Sequence, residues 1–223
     1  DTLDLMLEAL TDFVAAGMDD DRMLQLDHDD VCPEDLVRAM QSEELGVQLV
    51  FLPEESGGRG GGAFDIYRVC ERMGRIDIGL ATSVLATFLG SDPILVGATE
   101  EQRAEWLGRI AEQGILFAYG ATEPEAGSDL GSLTTTAVPK RDDDGNITHY
   151  VINGRKQWIS NGGIADASTI LALTDGGPTW FVVEQGTPGF EAAPHEDKHG
   201  IRLSNTCALF LDDVEVPVEN LIG

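Results

Sequence analysis

The periodicity of the chain changes once, near residue 115, and that change constrains the fold more than any motif. Before it, apolar residues recur at helical spacing. After it, short runs rich in Val, Ile, Thr and aromatic residues alternate with turn residues. Helices first and strands second predicts an α+β protein. The expectation is an N-terminal all-α domain over residues 1–117 and an antiparallel β-barrel-like domain over residues 118–223. A Rossmann fold needs strands and helices in alternation, which this chain does not have.

In the first part, Leu3, Leu7, Leu10, Phe13 and Val14 predict an amphipathic helix over residues 2–15. The acid-crowded stretch Asp19–Asp35, with Arg22 as its basic residue, reads as a solvated linker with room for one helical turn; its acids lack a calcium-loop arrangement. Pro33 opens the next helix at the first position, where its missing N–H costs nothing. Leu36, Val37, Met40 and Leu45 continue that helix until Gly46 stops it. The glycine-rich segment 55–62 (ESGGRGGG) lacks the Lys-Ser/Thr ending of a triphosphate-binding loop and reads as a flexible or close-packed turn. A helix over Ala63–Gly74 offers Phe64, Tyr67, Val69 and Met73 for packing. Ile78–Leu89 is nearly all apolar and too short to span a bilayer, which makes it a core helix. Thr99 and Gln102 form a capping-box pattern for a helix reaching Ile110.

In the second part, strands are expected at Ile115–Tyr119, Thr134–Val138, Ile147–Ile152, Lys156–Ser160, Thr169–Leu173, Trp180–Glu184 and Ala208–Leu211. Asp142–Asn146 and Asp175–Pro178 supply turns, and Asn153-Gly154 reads as a tight hairpin.

Composition excludes some functions. Forty acidic against fourteen basic residues give a net charge of −26, which opposes nucleic acid and anionic membranes. The lysines are Lys140, Lys156 and Lys198. This bias fits a salt-rich cytoplasm, and equally an acidic lineage or the lack of a basic partner surface. Cys32, Cys70 and Cys207 match no metal or redox spacing and suit a reducing compartment. No stretch reaches eighteen uninterrupted apolar residues, and the N-terminus lacks a basic start, so a cytoplasmic protein without a transmembrane segment is expected. A first residue of Asp rather than Met hints at a trimmed chain. His195 and His199 stand at i,i+4, but Pro194 and Gly200 oppose the helix that such a metal pair needs, so no metal site is expected.

Two strand ends carry the chemistry: residues 117–129 (FAYGATEPEAGSD) and 156–163 (KQWISNGG). Each begins as a strand and breaks into a loop of hydroxyl, amide and glycine groups, the kind of rim on which ligands are held. Thr122, Ser128 and Ser160 offer hydroxyls; Tyr119 and Trp158 offer flat apolar area; Glu123 and Asp129 are suited to capping turns or orienting these groups. Trp158 and Ser160 are two apart on a strand and share a face. Such a surface suits a flat heteroaromatic ligand. An ordinary β-domain whose Trp is core and whose polar loop is a turn remains the alternative.

The chain resembles the acyl-CoA dehydrogenase family. The resemblance is carried by residues 117–129, by 150–163 (YVINGRKQWISNGG), by 189–223 (GFEAAPHEDKHGIRLSNTCALFLDDVEVPVENLIG) and by 52–61 (LPEESGGRGG). It implies an N-terminal helical domain, a middle β-domain and a C-terminal four-helix domain, of which residues 1–117 and 118–223 resemble the first two and the third is absent. It also implies FAD lying against the β-domain, with Tyr119, Ala121, Thr122, Gly127, Ser128, Trp158, Ile159 and Ser160 as its contacts. Ser128 is then also a candidate for the thioester substrate, and Ser160 stands where the family usually has Thr. Arg155 with Lys156, and Lys198 with Arg202, would serve the CoA or FAD phosphates or make local ion pairs. The implied activity is α,β-desaturation of an acyl-CoA, with electrons passed to an electron-transferring flavoprotein or a similar acceptor. The family's catalytic base belongs to the C-terminal domain, so no catalytic residue is assigned here. Its source would be a missing domain or a partner chain in a homo- or hetero-oligomer, and the chain alone is expected to bind FAD weakly and expose an apolar face. The alternative is a non-catalytic truncated homologue that binds ligand or scaffolds a partner.

Overall fold

The computed structural model describes residues 2–42 and 45–223. Helices come first: α1 (Thr2–Gly17), α2 (Asp20–Asp29), α3 (Glu34–Met40), α4 (Gln48–Phe51), α5 (Ala63–Ile76), α6 (Ile78–Gly97) and α7 (Glu100–Gln113). Strands follow: β1 (Phe117–Gly120), β2 (Thr136–Arg141), β3 (Ile147–Ser160), β4 (Ala167–Thr174), β5 (Gly177–Glu184), β6 (Phe190–Ala192) and β7 (Thr206–Pro217). The single change of period near residue 115 is therefore the main division of the fold.

The expected apolar stripe of α1 buries Leu7, Leu10 and Val14. Arg72 on α5 binds the Leu7 carbonyl and the Thr11 hydroxyl and so clamps the two helices together. In α5, Val69 and Met73 are buried as expected, but Phe64 and Tyr67 face solvent. The acidic stretch is more ordered than its composition suggests. It forms the ten-residue α2, capped by Asp19 on the Arg22 amide and ended by Asp30 in the left-handed conformation. Asp20 and Asp21 lie in its first turn, where negative charge favours the helix, so propensity and capping replace burial. Pro33 is the N-cap of α3 rather than its first residue, and α3 ends at Met40. The part of that expected helix at 43–44 lies outside the described residues; Gly46 does turn the chain, with φ 66°. The glycine-rich segment is a close-packed turn: a Cβ on Gly58 would lie 2.0 Å from the Leu52 carbonyl oxygen. Thr99 and Gln102 form the expected reciprocal cap on α7.

α6 is longer than its apolar core suggests, running 20 residues to Gly97 with Pro93 inside. By length and composition it is the helix among the described residues that could cross a bilayer, yet 67% of that stretch is buried within the protein. It is the seam between helices and sheet. Gln41 donates to the Val84 carbonyl and to Thr87, while Thr169 on β4 donates to the Gly90 carbonyl. One apolar core accordingly runs from Leu10, Val37 and Val84 into Leu116, Ile152, Ile170 and Leu209.

The seven strands make one curled, mixed sheet in the order β1-β4-β2-β3-β7-β6, with β5 on β4. Most pairs are antiparallel; β1 runs parallel to β4, and β2 meets β4 at Thr136 and Leu173. The expected hairpin at Asn153-Gly154 does not form. Residues 147–160 are one strand that passes through a bulge there, with its β7 register shifting between Ile152 and Gly154. The Asn153 side chain exchanges hydrogen bonds with Asp213 on β7, at 2.9 and 3.0 Å. Gly154 is required because a Cβ there would come within 2.3 Å of Thr135 Oγ1.

With a net charge of −26 the folded chain repels itself. Molar KCl, which shortens the screening length to ~3 Å, is expected to raise the melting temperature by several degrees over low salt. Thermal scans across a KCl series check this, and a falling or flat midpoint contradicts it.

Candidate functional site

The two strand ends singled out in the sequence meet. The Gln157 amide donates to the Thr122 carbonyl at 2.9 Å. Beside it, Lys156 Nζ reaches the Ala121 carbonyl at 3.3 Å, Glu123 Oε1 at 2.8 Å and the Leu171 carbonyl at 2.6 Å. Glu123 also accepts from the Thr134 amide and hydroxyl and from the Thr135 amide. Lys156 is 0% and Glu123 3% exposed, so this ion pair is interior.

Burial alone would push the Glu123 carboxyl upward. The Lys156 ammonium, followed by Thr134 and Thr135, outweighs it and holds the group down at about 2. At Lys156 burial lowers the pKa and pairing with Glu123 only partly offsets it. Pairing thus decides the carboxylate and desolvation the ammonium. Three oxygens, one of them from Glu123, converge on the Lys156 nitrogen, and four donors, one of them Lys156, converge on the carboxylate.

A second bulge makes this burial compatible with an exposed tryptophan. Lys156 and Trp158 would share a face on a regular strand. The register with β7 shifts between Lys156 and Ile159, so Lys156 turns inward while Trp158 is 61% exposed. Trp158 takes φ 62°, a conformation that costs a bulky residue and is held by its surroundings. Alternation then resumes, with Ile159 buried at 2% and Ser160 half-buried opposite Thr206. Trp158 is therefore not a core residue.

On the first strand end, Tyr119 is half-buried against Trp180, ring centroids 4.9 Å apart. Its phenol is pushed upward by burial and by the neighbouring Asp92 carboxylate. These two rings, with Leu89, Asp92, Val96 and Ile222, line an open cleft of about 300 Å³. Ala121 is buried, and residues 123–126 close a tight turn through paired backbone bonds between Glu123 and Ala126. Gly127 and Ser128 follow on its exposed side. Asp129 caps the next turn through the Gly131 amide and the Ser132 hydroxyl, as its position suggested. Among the described residues, no protein group binds the hydroxyls of Thr122, Ser128 or Ser160. The structure therefore joins 121–123 to 156–157 directly and leaves Ser128 on the loop beyond.

The positive charges resolve mostly into local pairs. Lys156 is sealed under the strand ends and unavailable to a phosphate. Lys198 donates to the Ser204 carbonyl, and Arg202 binds Asp197 and Asp30. Arg155 is exposed, donating to Gln157 and lying 5.2 Å from the Phe210 ring centre. His195 accepts the Thr206 amide and faces Asp30, while His199 is exposed, so the two do not converge. The interior role of Lys156 escaped the sequence reading, although the Glu and Lys that pair both stood in the quoted motifs.

An all-helical region is packed through α6 onto a curled sheet whose two strand ends are joined. Residues 1–114 match the N-terminal domain of acyl-CoA dehydrogenases and residues 118–214 the middle domain. The chain belongs to the acyl-CoA dehydrogenase family. It is 37% identical over its whole length to a cyclohex-1-ene-1-carbonyl-CoA dehydrogenase of Geobacter metallireducens, covering 57% of that protein. The structure of butyryl-CoA dehydrogenase from Megasphaera elsdenii superposes with TM-score 0.89 at 34% identity, over 100% of this chain and 58% of the other. An acyl-CoA dehydrogenase complexed with FAD from Bacillus anthracis gives 0.86 at 33% identity, over 100% of this chain and 38% of that one. The chain thus spans little more than half the length of the first two and 38% of the third.

Proposed function

We propose that this chain supplies one face of an FAD site in an enzyme that desaturates acyl-CoA thioesters between Cα and Cβ. The observation that carries the reading is the joined pair of strand ends, where among the described residues the Thr122 and Ser160 hydroxyls have no protein partner and the Trp158 indole is uncovered. Unpaired donors beside flat apolar area fit a heteroaromatic ring edged with acceptors. The FAD-bound and acyl-CoA-acting relatives support the same choice.

FAD, when bound, supplies the acceptor for hydride from Cβ. The residues of this chain hold and tune it. Tyr119, Ala121 and Thr122 form one contact edge, with the Thr122 hydroxyl placed to donate to a ring acceptor. Trp158, Ile159 and Ser160 form the other; the indole excludes water and the Ser160 hydroxyl adds a donor. Gly127 and Ser128, on the open loop, suit the pyrophosphate or the thioester.

Removal of the α-proton needs a carboxylate base. Glu123 is buried and committed to Lys156, and Asp129 caps a turn. Neither is offered as the base, which the family resemblance implies comes from a C-terminal domain or a partner chain. The exposed Leu89 and Val96 beside the Tyr119–Trp180 cleft mark an apolar face for that domain or chain to cover. An electron-transferring flavoprotein is the proposed electron acceptor.

Thr122→Val and Ser160→Ala are each expected to weaken FAD binding about tenfold, the effect of losing one buried hydrogen bond. Calorimetric titration with FAD checks this. Unchanged affinity in both variants, with the fold retained, removes these residues from the site.

A further inference from the structure

We propose that Lys156 and Glu123 are a positioning couple: from beneath the sheet they lock the two strand ends in register and hold the Trp158 bulge in its strained form. That this register serves FAD rests on the function proposed above; the locking itself does not.

The geometry is that of a knot rather than a simple ion pair. The ammonium collects oxygens from the first strand end (Ala121), from its turn (Glu123) and from β4 (Leu171). The carboxylate collects the segment entering β2 through Thr134 and Thr135. Four separate pieces of chain thus meet at one interior charge pair. Immediately after Lys156 comes the amide that binds the Thr122 carbonyl, and immediately after that the positive-φ tryptophan. A left-handed tryptophan in a strand persists only where the surroundings over-determine it. Here Lys156 drawn inward on one side and Ile159 buried on the other fix the backbone between them.

The couple is neutral as a whole, so losing one member leaves a full charge beneath the strand ends, in surroundings that screen it poorly. Simple packing would have no such signed consequence. Glu123→Gln keeps the shape and leaves a net positive charge, Lys156→Met leaves a negative one, and the double variant restores neutrality.

Hydrogen exchange on the flavin-free protein tests the locking. In Lys156→Met and in Glu123→Gln the Gln157 amide is expected to exchange about tenfold faster, while the Ile152 amide, in the core of the same strand, keeps its protection. Unchanged exchange at Gln157, or equal loss at Gln157 and Ile152, overturns the proposal; the second result means that the couple merely stabilises the whole fold. If Lys156→Met does not fold, Glu123→Gln, which changes one atom, is read alone. In the flavin-loaded protein, a potentiometric titration is expected to show a higher flavin potential in Glu123→Gln, a lower one in Lys156→Met, and a value near the parent in the double variant. Failure of all variants and parent to bind FAD, with Gln157 loosened as expected, overturns the flavin reading and leaves the locking intact. Flavin potentials that move in one direction in all three variants overturn the charge-bearing role of the couple.

Discussion

Acidification from pH 5 to pH 2 is expected to remove about 3 kcal/mol of folding stability through Glu123 alone. The unfolded carboxyl takes up its proton near 4.5, whereas the folded one is held to about 2. A depressed folded value stabilises the native state fully above pH 4.5, and that contribution is lost as pH falls toward 2. The interval of about 2.5 units corresponds to ~3 kcal/mol. Lys156 keeps its proton throughout this window, so its own shift does not enter. The many other carboxylates titrate in the same range, and protonating them also relieves the repulsion of a chain at −26. The measurement is therefore a difference. Urea unfolding of parent and Glu123→Ala at pH 7, 5, 4 and 3 should show a gap of ~3–5 kcal/mol at neutral pH, the effect of stranding a buried ammonium. The gap should narrow steadily below pH 4. A gap that stays constant down to pH 3 would show that the carboxylate charge is not its source.

How much of this was legible in the sequence depends on whether the deciding force was local. The division into helices and strands follows from hydrophobic period, and the Thr99–Gln102 cap from a short-range pattern, so both could be read directly. The strand ends could be singled out by their hydroxyls, and the coordinates join them through the Gln157 amide and the Thr122 carbonyl. What failed was set by distant partners. Asn153-Gly154 has the local chemistry of a hairpin, but Thr135 and Asp213 occupy its surroundings and keep the strand continuous. Lys156 sits next to Arg155 and reads as surface charge, yet a bulge two residues later reverses the alternation and sends it inside to Glu123. Asp20–Asp29 buries nothing fully, so hydrophobic period carries no signal for a helix that depends on caps and the helix dipole. Phe64 and Tyr67 kept the spacing of packing residues but stay exposed, with only the Arg68 guanidinium lying over the Phe64 ring among the described residues.

Trp158→Gly should move stability and flavin affinity in opposite directions. The indole is 61% exposed and its backbone sits at φ 62°, so the folded protein spends strain on a side chain that packs little of its surface. Glycine adopts that conformation freely, and relief of left-handed strain exceeds the added chain entropy; stability is expected to rise by up to about 1 kcal/mol. A residue kept in an unfavourable conformation with its aromatic face outward is kept for what the face touches. If that is the flavin, deleting the ring uncovers apolar area in the complex and weakens FAD binding about tenfold to a hundredfold. Chemical denaturation and FAD titration on the same preparation give both numbers. A drop in stability of more than about 1 kcal/mol would mean that the indole is a packing residue after all. Unchanged FAD affinity would mean that the flavin lies elsewhere, and the exposed strand ends would need another ligand.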